Sequence, residues 1–418
     1  MKTYVFITRR ICEIGGAEIY IYNKMRFLES EGWRVLIFSA RHGKVLIRDF
    51  QKHEKLIFPA LECCPECFSK REVKKVIDRI TAEIGDTEGD PCILESNSAI
   101  RAVWAELIAE KLNCRHLAFV LQESHRYDAA MKDFLTFKYQ RHELRGITED
   151  SVGQMIGEDR IDPEFNTKIF AYCNNSIVNC DDPYSGLLDG TADYTFASIG
   201  RLVKPCVLPI VEGFRAYFKK YPEKRFNLVM IGEAPQPNRE EAIRGILSDC
   251  ANVNLVMTGN IYPIPLSFVK NVDVFVSTAG SAGATYRAGR PTVKVHPTTG
   301  DPIGIIGLDY FLGDKTMYDA SGGMTIEDCI ERALRQAGEI TYDHGFDEAY
   351  EQKLRDEFAR QLSFVDETGE NGYYNSEKLM CIRTQPVHSH KLQRTIGRLF
   401  GSAALEKVKA LRKKKGDS

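Results

Sequence analysis

Thr3-Tyr4-Val5-Phe6-Ile7-Thr8 is followed by Arg9-Arg10-Ile11-Cys12-Glu13-Ile14-Gly15-Gly16 and then by Ala17-Glu18-Ile19-Tyr20-Ile21. The first six residues read as a buried strand, and the next eight as a loop that ends in two glycines. A helix follows from Ala17 to Ser30, because Ile21, Met25 and Leu28 recur at helical spacing on one face. Glu31-Gly32 stops it, and Trp33 to Phe38 is the next strand. Strand, glycine loop, helix and strand make one unit of an α/β fold with a parallel sheet.

The same cycle runs outward from there. Strands are predicted at 91–95 and 115–121, with helices at 98–112 and 127–145. Residues 180–193 break the rhythm with two glycines, a proline and four aspartates, which reads as an inter-domain linker. Strands then resume at 194–199, 226–232, 252–257, 272–276 and 291–295, with helices at about 205–221, 238–250 and 282–289. After 325 the chain turns helical and charged. The expected architecture is two doubly wound, Rossmann-like α/β domains facing a cleft, at 1–183 and 184–340. Helices over 341–418 cross back and end in a basic amphipathic tail.

Composition narrows the function classes. The 418 residues carry a net charge of −2, so nothing draws the whole molecule to nucleic acid. No stretch reaches about 18 uninterrupted apolar residues, as a membrane helix requires. The twelve cysteines are scattered, and the cluster Cys63, Cys64 and Cys67 has no second pair at zinc-site spacing. Free thiols in a reducing cytoplasm, without a metal, fit this usage.

Ligands of open α/β sheets bind beyond the carboxyl ends of the strands. Three segments stand there. Gly15 and Gly16 let backbone N–H groups approach a phosphate at a helix N-terminus, or simply form a tight turn. Gly200, Arg201 and Lys204 follow strand 194–199 and bring two cations to the cleft, or form a solvated basic loop. Thr278, Gly280, Ser281, Ala282 and Gly283 follow strand 272–276 and offer amides and hydroxyls, or allow close helix packing.

Three segments resemble GT-B glycosyltransferases, and glycosyltransferase family 4 most. They are Gly-Gly-Ala-Glu at 15–18, Gly-Arg-Leu-Val-Lys at 200–204 and Ala-Gly-Arg-Pro-Thr-Val at 288–293. The resemblance implies a nucleoside diphosphate sugar as co-substrate, with no other cofactor and no metal. It gives Gly15 and Gly16 the donor diphosphate, Arg201 and Lys204 its neutralisation, and Gly232 a place near base or ribose. The loop through Thr278, Gly280, Ser281, Ala282 and Gly283 would hold sugar and diphosphate. Two departures stand out. The family's paired glutamates would fall near Val276 and at Ala284, and neither is present. Lys204 follows Arg201 more closely than in the family.

After strand 115–121, Glu123 is the candidate to orient or deprotonate an acceptor hydroxyl, with His125 second. The resemblance also favours retention of configuration. The expected function is transfer of a sugar to a glycan or lipid-linked acceptor, in the setting of bacterial surface polysaccharide. A non-catalytic subunit that kept the fold and a sugar-nucleotide epimerase remain open.

The tail places Ile396, Leu399, Phe400, Ala403 and Ala404 on one helical face, followed by Lys407, Lys409 and Arg412 to Lys415. This suits an anionic inner membrane surface, or else a helix packed on the first domain with a frayed basic end. Peripheral membrane attachment and a lipid-linked acceptor would follow from the first alternative.

Overall fold

The computed structural model describes all residues except 54, 88, 122–126, 235–236, 316–318, 320–322, 343–347, 368, 384–393, 405–406 and 408–418. The chain forms two compact units, Met1–Tyr172 with Lys353–Ser418, and Cys173–Gln352.

The first unit carries five strands: β1 (Thr3–Thr8), β2 (Arg34–Ser39), β3 (Cys92–Ser96), β4 (Arg115–Val120) and β5 (Leu144–Gly146). They pair in the order β2-β1-β3-β4-β5, and every pairing is parallel. Connecting them are α1 (Gly16–Ser30), α2 (Lys70–Ile84), α3 (Ala99–Leu112) and α4 (Ala129–Gln140), with α5 (Glu149–Ile156) after β5. A parallel pair needs such a crossover, which is why apolar strands alternate with helices. Helix α3 is buried on nearly all sides. It packs against α2 and the short turn Pro59–Glu62, and Trp104 Nε1 donates to Cys63 O at 2.7 Å.

The helix expected over 127–145 is shorter. It is capped by Asp128 and ends at Gln140. The chain then reverses through His142, at φ 60°, so that Leu144 and Arg145 enter β5 fully buried. Helix α4 already buries Met131, Phe134, Leu135 and Tyr139, and burying Leu144 in the sheet outweighs extending the helix through Arg141 and His142.

The second unit begins earlier than the 184 expected. β6 (Ile177–Val178) pairs with β10 (Ile264–Pro265), and Ile177 is buried in the second unit's core. The segment read as a linker thus belongs to this unit, and Asp182 accepts hydrogen bonds from Tyr184 N, Ser185 N and Ser185 Oγ. The main sheet uses β7 (Tyr194–Ile199), β8 (Phe226–Ile231), β9 (Val253–Gly259), β11 (Val274–Ser277), β12 (Thr292–Val295) and β13 (Pro302–Ile305). Their order is β13-β12-β11-β7-β8-β9, and only β13 runs antiparallel to its neighbour. Around it lie α6 (Val207–Lys220), α7 (Pro237–Ile246), α8 (Leu266–Lys270), α9 (Ala279–Arg287) and α10 (Ile326–Arg335). Apolar clusters cover both faces of this sheet.

The chain re-enters the first unit at 353, within α11 (Glu348–Glu367), rather than at 341, and continues to α12 (Ser376–Leu379). Residues 394–404 form a further helix. No helix among the described residues is long and apolar enough to cross a membrane.

Candidate functional site

The second unit's strand order reverses between β7 and β11, since β8 and β9 lie to one side and β11 and β12 to the other. Such a reversal opens a crevice at the carboxyl edge. Gly200 follows β7, and Thr278 follows β11. The two strand ends are tied together, because Ile199 N donates to Ser277 Oγ at 3.0 Å.

Glycine shapes the neighbouring corner. A Cβ on Gly232, at φ 151°, would stand 1.9 Å from Gly200 O, so the backbones after β7 and β8 touch. Gly232 therefore serves this close approach, while the space around Gly200 is open. Leu202 N donates to Glu233 O at 3.2 Å, which fixes the loop carrying Arg201 and Lys204 against β8. Arg201 is exposed and has no ion-pair partner among the described residues. Lys204 is close enough to Cys173 to pull that thiol downward, yet burial dominates and pushes it up to about 11.

The loop after β11 has an unusual backbone. Thr278 is the N-cap of α9, but its side chain caps nothing. Its Oγ1 is buried and has no hydrogen-bond partner among the described residues. Ala279 follows at φ 51°, a left-handed conformation that costs a non-glycine residue about 1–3 kcal/mol. A buried hydroxyl without a partner and a strained residue, side by side at a helix N-terminus, are features expected where a ligand completes the site.

The remaining loop residues divide. Gly280 and Ser281 are partly exposed. Ala282 is fully buried in the apolar core. A Cβ on Gly283 would meet Asn174 Nδ2 at 2.7 Å, and one on Gly280 would meet Cys173 Sγ at 2.9 Å. These glycines thus let segment 173–174 pack on α9, and the surface left to a ligand is Ala279 to Ser281, with Thr278 buried behind it. Asp301 lies exposed in the turn after β12, which His296 N closes by donating to Asp301 O at 2.9 Å.

In the first unit, Gly15 is the N-cap of α1. A Cβ there would stand 2.8 Å from Glu18 Oε2, so a carboxylate already faces this turn. Glu18 is buried, bonds Arg10 Nε at 3.0 Å, and burial raises its carboxyl above the usual range. Gly16 starts the helix, and Ile19 N donates to Gly15 O. Glu123 and His125 lie outside the described residues. In the carboxyl tail, Leu399 and Phe400 are exposed, while Arg394 forms an ion pair with Glu66 at 2.7 Å and Gly397 packs on Cys67 O. Lys409 and Arg412 to Lys415 also lie outside the described residues.

Sequence reasoning missed Asn174, whose position against α9 depends on contacts a hundred residues distant. It also missed Arg9 and Arg41, although both follow strands as Arg201 does.

No protein-family model matches the chain, and no curated protein matches its sequence. Solved structures do match its fold. A glycosyltransferase from Rickettsia africae is similar over 94% of this chain and 98% of its own, at 12% identity and a TM-score of 0.55. HepE from Anabaena, solved with UDP and glucose, is similar over 87% of this chain and 100% of its own, at 11% identity and a TM-score of 0.56. A protein from Listeria monocytogenes, described as a UDP-N-acetylglucosamine 2-epimerase, gives a TM-score of 0.50 at 14% identity over 89% of this chain and 99% of its own. The chain has the GT-B fold.

Proposed function

We propose that the chain is a glycosyltransferase that moves a sugar from a nucleoside diphosphate to a glycan or lipid-linked acceptor. The observation that carries the reading is the β7/β11 corner. There Arg201, without an ion-pair partner among the described residues, and the buried Thr278 Oγ1, without a hydrogen-bond partner among them, stand at adjacent strand ends. UDP and glucose bound to HepE support a UDP-sugar as donor.

The diphosphate gains negative charge as its bond to the sugar breaks. Arg201 and Lys204 meet that charge more strongly in the transition state than in the ground state, and so accelerate the step. Two cations and the amino end of α9 offset the diphosphate charge without calling on a metal. Thr278 Oγ1, Ser281 and the amides beside them take the donor hydroxyls that the family's glutamates would otherwise bind. Gly200 keeps the approach clear of a side chain. Glu123, with His125 second, serves the acceptor hydroxyl, and the resemblance favours retention of configuration.

Calorimetric titration with UDP, GDP and ADP tests the donor site. Arg201→Ala should weaken the tightest of them about tenfold or more, the effect of one charge-assisted hydrogen bond. Silence across all three nucleotides would transfer the chain to the non-catalytic reading. Conversion of a UDP-sugar without any acceptor would favour an epimerase, a chemistry ascribed to the Listeria protein. The exposed Leu399 and Phe400 support seating the basic tail on an anionic inner membrane surface. Full-length protein should co-sediment with phosphatidylglycerol vesicles and release on Leu399→Ser/Phe400→Ser. Equal binding by that variant would refute the membrane role.

A further inference from the structure

The first unit has its own reversal point, between β1 and β3, and the residues beyond those strand ends gather positive charge. Arg9 follows β1, Arg41 follows β2, and Arg101 lies in the first turn of α3. All three reach Glu62: Arg9 Nη2 at 3.3 Å, Arg41 Nη2 at 2.5 Å and Arg101 Nη2 at 2.8 Å. Glu13 also acts on Arg41 but is itself paired with Arg10 at 2.5 Å, so the shared Glu62 leaves the three guanidiniums in excess, and the amino end of the fourteen-residue α3 adds further positive potential.

The cluster is built rather than incidental. Arg101 is 4% exposed. Burial, with the neighbouring arginines, lowers its guanidinium to about 10, while the arginines hold the Glu62 carboxyl at about 2. Arg9 and Arg41 keep much of their surface open, at 49% and 38% side-chain exposure.

Unpartnered polar atoms collect at the same edge. Ser98 is the N-cap of α3, yet its side chain makes no cap hydrogen bond. Its Oγ is buried without a partner among the described residues, as are Asn97 Oδ1, Arg101 Nε and Ser39 Oγ at the end of β2. Folded proteins leave few such groups, because each costs about 1–3 kcal/mol. A ligand with an anionic group and neighbouring hydroxyls would satisfy them.

We propose that Arg9, Arg41 and Arg101, with Asn97 and Ser98, bind the acceptor through an anionic group, a phosphate or a carboxylate, carried on a hydroxyl-bearing molecule. The word acceptor rests on the glycosyl-transfer reading above; the anion site does not. Arg101 and the end of α3 take the charge, Arg9 and Arg41 close over it, and Asn97 Oδ1 accepts from a hydroxyl. Selectivity follows from charge, since a neutral glycoside leaves the arginine excess uncompensated.

The experiment is titration of full-length protein, saturated with UDP to fill the second unit, with glucose 1-phosphate, methyl glucuronide and neutral methyl glucoside. At least one charged probe should bind, and methyl glucoside should not. The double variant Arg9→Gln/Arg41→Gln, changed at half-exposed positions, should bind that probe at least about tenfold more weakly. Its UDP affinity should equal that of the unmodified chain. Binding of the phosphate alone assigns a phosphorylated acceptor, and binding of the glucuronide alone assigns a uronate. Failure of both charged probes, equal binding of methyl glucoside, or an unaltered double variant would overturn the proposal. Failure of UDP itself would sink the donor reading and leave the phosphate titration to judge the arginines alone.

Discussion

Glu95 and Phe196 both lie on central strands with parallel neighbours on either side, and both are fully buried. Their surroundings are opposites. Glu95 accepts from Tyr4 Oη at 2.6 Å, Lys24 Nζ at 2.5 Å and Asn97 Nδ2 at 2.8 Å. Phe196 lies in an apolar cluster and is ringed by Phe214, Phe218, Phe226 and Tyr217, between 5.3 and 6.0 Å away. A second buried charge network in the first unit joins Lys138 to Glu106 and Glu143, with His116 Nδ1 2.7 Å from Glu106. The second unit keeps most of its ion pairs at the surface, as Arg215 and Asp249 do.

The contrast concerns specificity. Aromatic burial tolerates many arrangements of similar area, whereas a buried ion pair permits only those in which every partner is present. Lys24 also donates to Gln361 Oε1 at 2.8 Å, and Tyr20 Oη donates to the same oxygen at 2.8 Å. Gln361 lies on α11, so the polar network keys the returning carboxyl segment into the first unit. A slipped helix would leave Lys24 short of a partner.

The largest effect should come from breaking that key. Lys24→Ala leaves Glu95 charged and short of its counter-ion, which costs about 3–5 kcal/mol. Lys24→Met with Glu95→Gln removes both charges and should recover most of the loss. Both tryptophans, Trp33 and Trp104, belong to the first unit, so urea unfolding followed by their fluorescence reads this unit alone. If the single variant were as stable as the unmodified chain, the key would not exist. If the double variant were no better than the single, packing rather than charge would be the cause.

The same contrast governs what the sequence revealed. Periodicity and glycine placement located β1, α1, α3, β7 and α6, because each buries its own regular pattern. Helix α2 was legible but unread: Ser69 caps it, and Val73, Val76, Ile80 and Ile84 form its buried stripe. The crossing back of the chain was legible, but the contact that holds α11 was not, since Gln361 and Lys24 are 337 residues apart and neither looks like a core residue. At the candidate site the strand-end rule placed Arg201 and Thr278 at the β7/β11 corner. It did not show that Glu18 faces Gly15 or that Asn174 covers Gly283. Those are contacts of folded chain, and glycine spacing looks alike whether a phosphate or a side chain fills the gap.

The smaller effect is acid sensitivity, which should differ between the units. His53 in the first unit is buried, with its pKa lowered from 6.5 to about 4 by burial and by Lys52. An unfolded histidine takes its proton near pH 6.5, while the folded one refuses it until about pH 4. Stability is therefore present above pH 6.5 and drains away as pH falls to 4, by on the order of 3 kcal/mol. Glu62 and Glu106, held near 2 in the fold, extend the loss from about pH 4.5 downward. In the second unit Asp249 is also held low by Arg215 and Lys219, but water screens this pair and its protonation costs little. Tryptophan-monitored unfolding should thus lose stability between pH 6.5 and 4.5, and His53→Gln should flatten that slope. Hydrogen exchange should show the second unit's strands still protected at a pH where β1 and β3 have begun to open. Equal slopes for His53→Gln and the unmodified chain would move the acid sensitivity to another group, and equal opening of both sheets would erase the distinction between them.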